Sequence, residues 1–389
     1  MQHSEKRILT THTGSLPRPA GLVKLYARRA NGEAVAESEV EAAGRAAMED
    51  VVDRQLAAGI DIGNNGEQQR EGFFLYVQHR MSGFGAPWKR FARADIEQFP
   101  DFKASLEAQA GTKVAVSNFA PPKVTGAIRY LDPKLAASEA EEFKVALTKR
   151  KQHFTEAFLT APSPGIIAAA CKNEFYDTEE AYLDALGEAL RLEYEAIVNN
   201  GFVLQIDCPD LALEGHVSFH DEPDSKYMGF VENVITAINK AIRNLPRDRV
   251  RMHVCWGNYE GPHTCDVPLR KIWPVIRQTK VGGFVLPFAN SRHAHEIKVL
   301  RDMPMADDQV LVAGVIDTVN NFVEHPETVA DRLERAAQEI GDAHRVMGGT
   351  DCGFDSSAGM GRVAADVVWA KMKSLSEGAR IASDRLFKQ

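Results

Sequence analysis

One histidine and two cysteines are the residues whose types and spacing point most directly to chemistry. His253 and Cys255 stand two positions apart in the run Met252–Trp256, and Cys352 lies in the run Gly348–Gly353. Alternate residues of a strand face the same side, so His253 and Cys255 should lie together if the first run is a strand. Zinc prefers imidazole and thiolate ligands, and a catalytic zinc needs only three from the protein. The set predicts such a site; inert buried cysteines and a core histidine are the alternative.

Other polar residues follow the ends of short apolar runs elsewhere in the chain. They are Ser15, Glu67, Asp207, Asp317 and Asp351. Any one of them could be a turn residue or a helix cap. In a barrel of parallel strands, however, the active-site residues come from the C-terminal ends of several different strands. The repetition of polar residues at these ends therefore favours one shared active site.

Eight apolar runs are predicted to be the strands that position these residues. They are Leu9–Ser15, Ile60–Glu67, Gly165–Cys171, Phe202–Asp207, Val250–Trp256, Gly282–Ala289, Val310–Asp317 and Arg345–Gly353. Apolar strands that alternate with helical stretches indicate a parallel sheet buried on both faces. Eight of them indicate a closed barrel, so we predict an α/β protein with a (β/α)₈ TIM-barrel fold. Residues 1–389 are expected to form a single barrel domain.

The intervening stretches have helical periodicity, with one exception. The clearest predicted helices are Ala36–Ala58, Thr178–Asn199 and Pro326–Ile340. The segment at about 83–160 breaks the alternation, with a hairpin of Lys113–Phe119 and Lys123–Tyr130 and a charged helix from Ala137 onward. We predict that it is an insertion between the second and third barrel strands that covers the barrel mouth.

Composition excludes several other classes of protein. The 46 basic and 54 acidic residues give a net charge of −8, which argues against nucleic acid as the main partner. The longest apolar runs are far too short to cross a bilayer, so no membrane partner is expected. Five cysteines, an odd and scattered number, do not form a disulfide framework. With no apolar stretch in Met1–Thr10 to act as a signal, a cytoplasmic location is predicted.

Several motifs together resemble the catalytic C-terminal barrel of the cobalamin-independent methionine synthase family, over nearly the whole chain. The matching motifs are Thr10–Pro17 as the opening strand, Gly66-Glu67 as the "GE" motif, Gln205–Asp207 with Pro209 as the "IDEP" motif, and Asp351-Cys352-Gly353 around the final cysteine. The resemblance implies a barrel of the methionine synthase/uroporphyrinogen decarboxylase type. It also implies a zinc held by His253, Cys255 and Cys352. The residues expected to hold the amino-acid part of homocysteine are Ser15, Glu67 and Asp207.

The longer string His253–His263 is more typical of a stand-alone branch of the family. That branch includes proteins similar to epoxyalkane:coenzyme M transferase (2-hydroxypropyl-coenzyme M lyase), and the wider superfamily includes methylcobamide:thiol methyltransferases. One departure from methionine synthase is Pro287, which stands where a glutamate completes the resting zinc site. Water or the substrate thiol could take that fourth position. The other residues considered for it are Cys265, His263 and Cys208.

A second departure concerns the seventh predicted strand. Methionine synthase has a histidine after this strand that protonates the departing folate, whereas this chain reads Val315–Val319 there and the next histidine is His325. His325 is expected to begin a helix. The resemblance therefore favours an alkyl donor other than, or simpler than, folate polyglutamate.

The resulting prediction is a zinc-dependent thiol alkyltransferase that moves a methyl group to a small thiol such as homocysteine. One alternative is an enzyme like the epoxyalkane:coenzyme M transferase, and another is a non-catalytic barrel that binds metal or thiol. A uroporphyrinogen-decarboxylase-like enzyme is disfavoured by the His-x-Cys…Cys set. Candidate acids for epoxide opening are Tyr259, His263 and Asp317.

The first two functions differ in the charged group that the substrate thiol carries. Glu67 and Asp207 suit the ammonium group of homocysteine, whereas the sulfonate of coenzyme M would prefer arginine. The arginines near the right strand ends are Arg18, Arg70 and Arg80. Arginines are mostly exposed, so surface roles for these three are equally consistent with the sequence. The two carboxylates could also be structural, but they favour an amino-acid-like thiol.

Overall fold

The computed structural model describes residues 1–109 and 114–387. Its strands, numbered in chain order, are β1 (Leu9–Thr10), β2 (Ile62–Gly63), β3 (Phe84–Pro87), β4 (Pro122–Val124), β5 (Glu156–Pro162), β6 (Val203–Asp207), β7 (Val250–His253), β8 (Gly283–Pro287), β9 (Val310–Ile316) and β10 (Val346–Thr350). Eight of these form one parallel sheet in the order β1-β10-β9-β8-β7-β6-β5-β2. Consecutive strands lie side by side, as in a (β/α)₈ barrel, which confirms the predicted fold class.

The barrel closes between β1 and β2 through individual hydrogen bonds rather than a regular ladder. The Asp61 amide donates to the Thr10 carbonyl at 3.2 Å. The Thr11 hydroxyl donates to the Ile62 carbonyl at 2.8 Å. Inside the barrel, a layer of apolar side chains from seven of its strands packs together: Leu9, Ile62, Phe158, Val203, Val285, Val312 and Met347. The polar strand ends lie on the C-terminal side of this layer, at the barrel mouth.

Helices surround the barrel and cover its outer face. They are α1 (Ala20–Ala30), α2 (Glu37–Ala57), α3 (Val77–Arg80), α4 (Ala94–Glu97), α5 (Pro100–Gln109), α6 (Lys134–Thr148), α7 (Pro164–Ala170), α8 (Glu179–Asn199), α9 (Asp210–Leu213), α10 (Asp224–Ala241), α11 (Leu269–Ile276), α12 (Lys298–Asp302), α13 (Pro326–Ile340) and α14 (Ala365–Leu386). Short 3₁₀ turns occupy Glu214–His216, Arg247–Arg249 and Ala343–Arg345. None of the helices in the described part of the chain is both long and apolar enough to span a bilayer.

The prediction of a third barrel strand at Gly165–Cys171 was wrong. The strand is β5, and most of the predicted run forms helix α7. The Ser163 hydroxyl caps this helix by accepting a hydrogen bond from the Ile166 amide at 2.9 Å, and Pro164 occupies its first turn. Serine at the cap and proline at the first position are start signals for a helix. A short apolar run cannot be told from a buried helix by periodicity alone, so this cap was the informative signal.

The segment between β2 and β5 carries β3, β4 and helices α3 to α6. Its antiparallel pair joins β3 to β4, so the predicted hairpin of Lys113–Phe119 with Lys123–Tyr130 was wrong. Lys113 lies outside the described residues, and residues 114–119 form no strand. The segment reaches loops at the C-terminal end of the barrel: the Trp88 indole donates to the Ala170 carbonyl at 2.9 Å, and the Tyr259 hydroxyl donates to Asp95 at 2.6 Å.

Helix α6 is attached to the barrel by a buried network of charges. Glu139 accepts hydrogen bonds from Arg70 and Asn65, each at 2.9 Å, and it also pairs with Arg80. Both arginines also lie against Glu193 of α8, at 3.6 and 3.3 Å. Burial opposes ionisation of Glu139, but the charges of Arg70 and Arg80 prevail and lower its pKa to about 2.

We expect Glu139→Gln to lower the free energy of unfolding by about 3–5 kcal/mol, because it leaves buried arginine charge with too little compensation. The exposed neighbour Glu141 provides a matched control, and Glu141→Gln should change stability by no more than about 0.5 kcal/mol. The folded-state pKa of Glu139 is depressed, so its contribution is fully present above its ordinary pKa. The difference between wild type and Glu139→Gln should shrink as the pH falls from 4.5 towards 2. Urea titrations across this range measure it; a constant difference would contradict this account.

Candidate metal centre and its two pockets

The barrel mouth brings together the three side chains that the sequence singled out as metal ligands. His253 ends β7, Cys255 follows it by two residues, and Cys352 follows β10. One ligand atom from each lies within 4.8 Å of the other two. The two sulfur atoms are 3.9 Å apart. His253 and Cys255 are 2% and 5% exposed, so the group is enclosed by protein.

The hydrogen bonds of His253 leave one ring nitrogen available. Its Nδ1 lies 3.2 Å from the Val285 carbonyl, which can only accept, so Nδ1 carries the proton. Nε2 therefore carries the lone pair, and it is buried without a hydrogen-bond partner among the described residues. Metal-bound histidines commonly donate their other N–H to a carbonyl in this way. The donor set and the orphaned nitrogen both fit a metal ion of the kind that takes imidazole and thiolate.

The two cysteine thiols differ in acidity, because the hydrogen bond between them raises the pKa of Cys352. The Cys352 thiol and the neighbouring His253 ring hold the pKa of the Cys255 thiol well below its usual range. The loop that carries Cys352 packs closely against β1, because a Cβ atom on Gly353 would lie only 2.0 Å from Ser15 Oγ. Asn258 secures the same loop, since its amide donates to the Gly353 carbonyl at 2.7 Å. Only glycine at position 353 allows this approach.

A pocket of about 670 Å³ opens on one side of the three ligands. Its walls include all of the predicted ligand and substrate residues: Ser15, Glu67, Asp207, His253, Cys255 and Cys352. We call this the thiol pocket. Residues from five barrel strands or their following loops therefore meet in one cavity.

The two carboxylates of the thiol pocket are held in different ways. Glu67 accepts a hydrogen bond from the Thr160 hydroxyl at 2.9 Å through Oε1, while its buried Oε2 has no partner within the described chain. Its backbone is left-handed, with φ of 56°, and such strain in a non-glycine residue is concentrated at functional sites. Asp207 accepts from the Gln205 amide at 2.8 Å. Burial raises the pKa of Glu67, and raises that of Asp207 to about 8.

Arg251, inside the barrel, fixes the orientation of that glutamine. Its Nε donates to Gln205 Oε1 at 2.9 Å, so the amide nitrogen of Gln205 must point towards Asp207. The Arg251 guanidinium is buried and lies 3.9 Å from the centre of the Phe158 ring. Arg251 therefore positions the Asp207 carboxylate indirectly, by fixing the Gln205 side chain that donates to it.

Two arginines of the thiol pocket were not identified from the sequence. Arg90 and Arg93 belong to the segment between β3 and α4, and both line the pocket. Arg90 pairs with Glu214. The Arg93 guanidinium lies 4.1 Å from the centre of the Tyr259 ring and forms no ion pair with any described residue. Burial lowers the pKa of Arg93. The basic cluster in Lys89–Arg93 was the only sequence signal for these residues.

A second pocket, of about 370 Å³, lies on the other side of the two cysteines. We call it the donor pocket. Its walls include Cys255, Pro287, Asp317 and Cys352, together with a group formed by Trp256, Tyr259, His263 and His293. Cys255 and Cys352 thus line both pockets.

The three candidate acids all line the donor pocket, but their bonding differs. The Tyr259 hydroxyl is bound to Asp95 at 2.6 Å. Both nitrogens of His263 are bonded, to Asp266 at 2.8 Å and to the Tyr259 carbonyl at 3.1 Å. Asp317 accepts from the Val319 amide at 2.8 Å through one oxygen. Asp317 is therefore the candidate acid with a carboxylate oxygen left for a ligand.

Residues considered for the fourth metal position lie apart from the centre. Among described side chains, the group at the centre consists of His253, Cys255 and Cys352. Cys265 bonds to Gln98 at 3.2 Å, and the buried Cys208 sulfur faces the Ile206 carbonyl. His325 caps α13 by accepting from the Glu327 amide. Pro287 ends β8 and lines the donor pocket without offering a ligand atom.

Neither alternative left open for Arg18, Arg70 and Arg80 holds: their side chains are not on the surface, and each is paired with a carboxylate rather than free for a sulfonate. Arg18 is buried and pairs with Asp355 at 3.1 Å, while the other two belong to the Glu139 network. Buried charged groups are normally paired. Through these pairs the three arginines link segments at the strand ends. Asp351 has a similar structural role. Its carboxylate accepts from the amides of Phe288, Ala289 and Asn290 at 3.0, 2.9 and 2.7 Å.

The known proteins to which the chain is similar include several methionine synthases. No family model matches the chain. The methionine synthase of Sulfolobus acidocaldarius is 26% identical over 346 residues, covering 89% of this chain and 85% of that protein. The methionine synthase of Saccharolobus solfataricus is 24% identical over 380 residues, covering 97% and 95%. The solved structure of a B12-independent methionine synthase from Shewanella sp. W3-18-1, in complex with selenomethionine, superposes with a TM-score of 0.71 at 19% identity, over 98% of this chain and 99% of that one.

Proposed function

Since the chain is related along nearly its whole length to the cobalamin-independent methionine synthases, we propose that it transfers a methyl group to the thiol of homocysteine in a zinc-dependent reaction. The observation that carries this proposal is that Cys255 and Cys352 line both pockets and lie with His253 in one ligand group. A thiol that enters from one pocket would meet an alkyl donor in the other beside these two cysteines.

Zinc is the metal that suits this donor set, and His253, Cys255 and Cys352 would hold it. When bound, zinc lowers the pKa of a coordinated thiol, so that the reactive thiolate is present at neutral pH. Pro287 adds no ligand from β8. A centre with three protein ligands leaves a position for the substrate, as in other catalytic zinc sites.

The thiol pocket suits an amino acid that carries both charges. Glu67 and Asp207 are the carboxylates that would receive an ammonium group, and Glu67 Oε2 is already buried without a partner in the described chain. Arg93 is a cation without a carboxylate partner among described residues, and it would receive the substrate carboxylate. Charge-assisted hydrogen bonds of this kind are about twice as strong as neutral ones. Homocysteine satisfies all of these groups.

The donor pocket would hold the methyl donor on the far side of the cysteines. The thiolate sulfur attacks the methyl carbon, and the electron pair of the breaking bond leaves with the donor. Asp317 borders this pocket and has one oxygen free of the Val319 amide, so we assign it to the leaving group. The absence of a histidine in Val315–Val319 favours a donor other than, or simpler than, folate polyglutamate.

Arg93 is also compatible with a second function. Its guanidinium lines the thiol pocket without an ion-pair partner among the described residues, and it would suit the sulfonate of coenzyme M. An enzyme of that kind would add a hydroxyalkyl group from an epoxide. The two carboxylates oppose it, since they would face a thiol that has no ammonium group. An ammonium group would stabilise both carboxylates against the burial that raises the pKa of each, so the pair Glu67 and Asp207 favours homocysteine.

Product mass distinguishes these functions. We expect the protein to convert homocysteine to its S-methyl product with methyltetrahydrofolate or methylcobalamin as the donor, and to leave coenzyme M unchanged with epoxypropane. A hydroxypropyl adduct of coenzyme M would instead establish the second function. If neither product forms although zinc is bound, the barrel is a non-catalytic metal- or thiol-binding protein.

A further inference from the structure

A second group of metal-type ligands lies at the edge of the donor pocket, outside the centre described above. His263, Asp266 and His293 each offer one ligand atom within 4.8 Å of the other two. Nδ1 of His263 and Nε2 of His293 both approach the same Asp266 oxygen, Oδ2, at 2.8 Å. The two histidines are 5% and 6% exposed. The Asp266 side chain is 3% exposed.

The two rings are held so that these nitrogens face the same carboxylate oxygen. Nε2 of His263 donates to the Tyr259 carbonyl at 3.1 Å, which is the outer hydrogen bond usual for a metal-bound histidine. The His293 ring stacks on Trp256 with a centroid distance of 3.8 Å and an angle of 9°. His263 has a left-handed backbone with φ of 54°, like Glu67 in the thiol pocket. The positions of both rings are therefore fixed by protein contacts.

An additional buried histidine, His216, lies between Asp95 and Asp266, with its Nδ1 3.7 Å from Asp95 Oδ1. Nε2 of His216 lies 3.4 Å from Asp266 Oδ1, and the side chain is 2% exposed. Neither nitrogen of His216, nor Asp266 Oδ1, makes a hydrogen bond within the described residues. A buried polar atom without a partner costs about 1–3 kcal/mol. Two N–H groups share one oxygen of Asp266, while its other oxygen accepts no hydrogen bond from the described residues, so the group keeps buried polar atoms that a ligand could satisfy.

We propose that His263, Asp266 and His293 bind a divalent first-row transition metal ion, with His216 next to Asp266. Two imidazoles and one carboxylate make a donor set that such ions accept while keeping positions open. The ion would replace the two hydrogen bonds to Asp266 Oδ2. His263 and His293 line the donor pocket, so the open positions are available to an oxygen ligand there.

Metal stoichiometry of the full-length protein tests this proposal, whether or not the proposed methyl transfer is correct. After saturation with zinc and dialysis, wild type should hold two equivalents per chain. Asp266→Ala and Cys352→Ala should each hold one, and the double variant none. His295→Ala is the matched control, because His295 is exposed and close in sequence to His293, and it should keep both equivalents.

Cobalt substitution assigns each equivalent. Sulfur-to-cobalt charge-transfer absorption should persist in Asp266→Ala and disappear in Cys352→Ala, which should retain only the weaker bands of a nitrogen and oxygen site. A wild-type protein that binds a single equivalent, with sulfur-to-cobalt absorption, would overturn the proposal. This wild-type result decides the question even if Asp266→Ala fails to fold, and His293→Gln repeats the test with a smaller change.

Discussion

Cys352→Ala is expected to lose the zinc held at the barrel mouth and to lower methyl transfer to homocysteine by more than about 100-fold. Changes to residues that merely support a metal ligand already cost about 10–100-fold in affinity or activity. Cys352 is itself a ligand in our account, and its sulfur lies 3.9 Å from that of Cys255. Elemental analysis of protein purified without chelators, together with steady-state rates, measures both effects.

Cys171→Ala is the matched control for this prediction. Cys171 is also buried, but it ends helix α7 and belongs to neither ligand group. Burial raises the pKa of its thiol to about 12, as expected for an inert cysteine. The control should retain its zinc and its activity. Full activity in Cys352→Ala would mean that the sulfur is not a ligand of the catalytic metal.

Glu67→Gln is expected to raise the KM for homocysteine by about 10- to 100-fold, because a hydrogen bond between charged groups is worth about 1.5–3 kcal/mol. The substitution keeps the size of the side chain and its position beside Thr160. It removes only the charge that we assign to the ammonium group. Initial rates over a range of homocysteine concentrations measure the change.

4-Mercaptobutyrate, which is homocysteine without its ammonium group, provides the control substrate. Its KM should be nearly the same for wild type and Glu67→Gln, because it makes no contact with the glutamate charge. Arg93→Gln should show the opposite behaviour and weaken both thiols, since both carry the carboxylate. An equal loss for both thiols in Glu67→Gln would assign Glu67 a structural role instead.

Local patterns in the sequence were enough to predict the centre of the barrel. The two-residue spacing of His253 and Cys255 predicts that both side chains face the same side of an extended segment. His253 ends β7 and Cys255 follows it, and the two residues lie together at the barrel mouth. Run Phe202–Asp207 corresponds to β6, and helix α13 has the predicted bounds. These elements are regular, and their hydrophobic periodicity reports on burial directly.

The errors arose where the outcome depends on distant parts of the chain. Arg70 and Arg80 can be buried because they pair with Glu139 and Glu193. These two glutamates lie on separate helices, so no local sequence pattern reveals the pairing. Arg93 enters the thiol pocket because the segment after β3 lies over the barrel mouth.

The group of His263, Asp266 and His293 combines a local sequence pattern with a contact between distant parts of the chain. The three-residue spacing of His263 and Asp266 is visible in the sequence, but His293 comes from the loop after the next strand, β8. Such groups become recognisable only when the loops are placed in space.

Zinc-edge X-ray absorption with added homocysteine tests the central claim most directly. The Asp266→Ala variant is the appropriate protein, because its edge reports on the centre of His253, Cys255 and Cys352 alone. We predict two sulfur ligands and one nitrogen ligand from the protein at rest, and an additional sulfur ligand when homocysteine is added. An edge that does not change with homocysteine, or a protein that holds no zinc, would contradict the assignment of this centre as the thiol site.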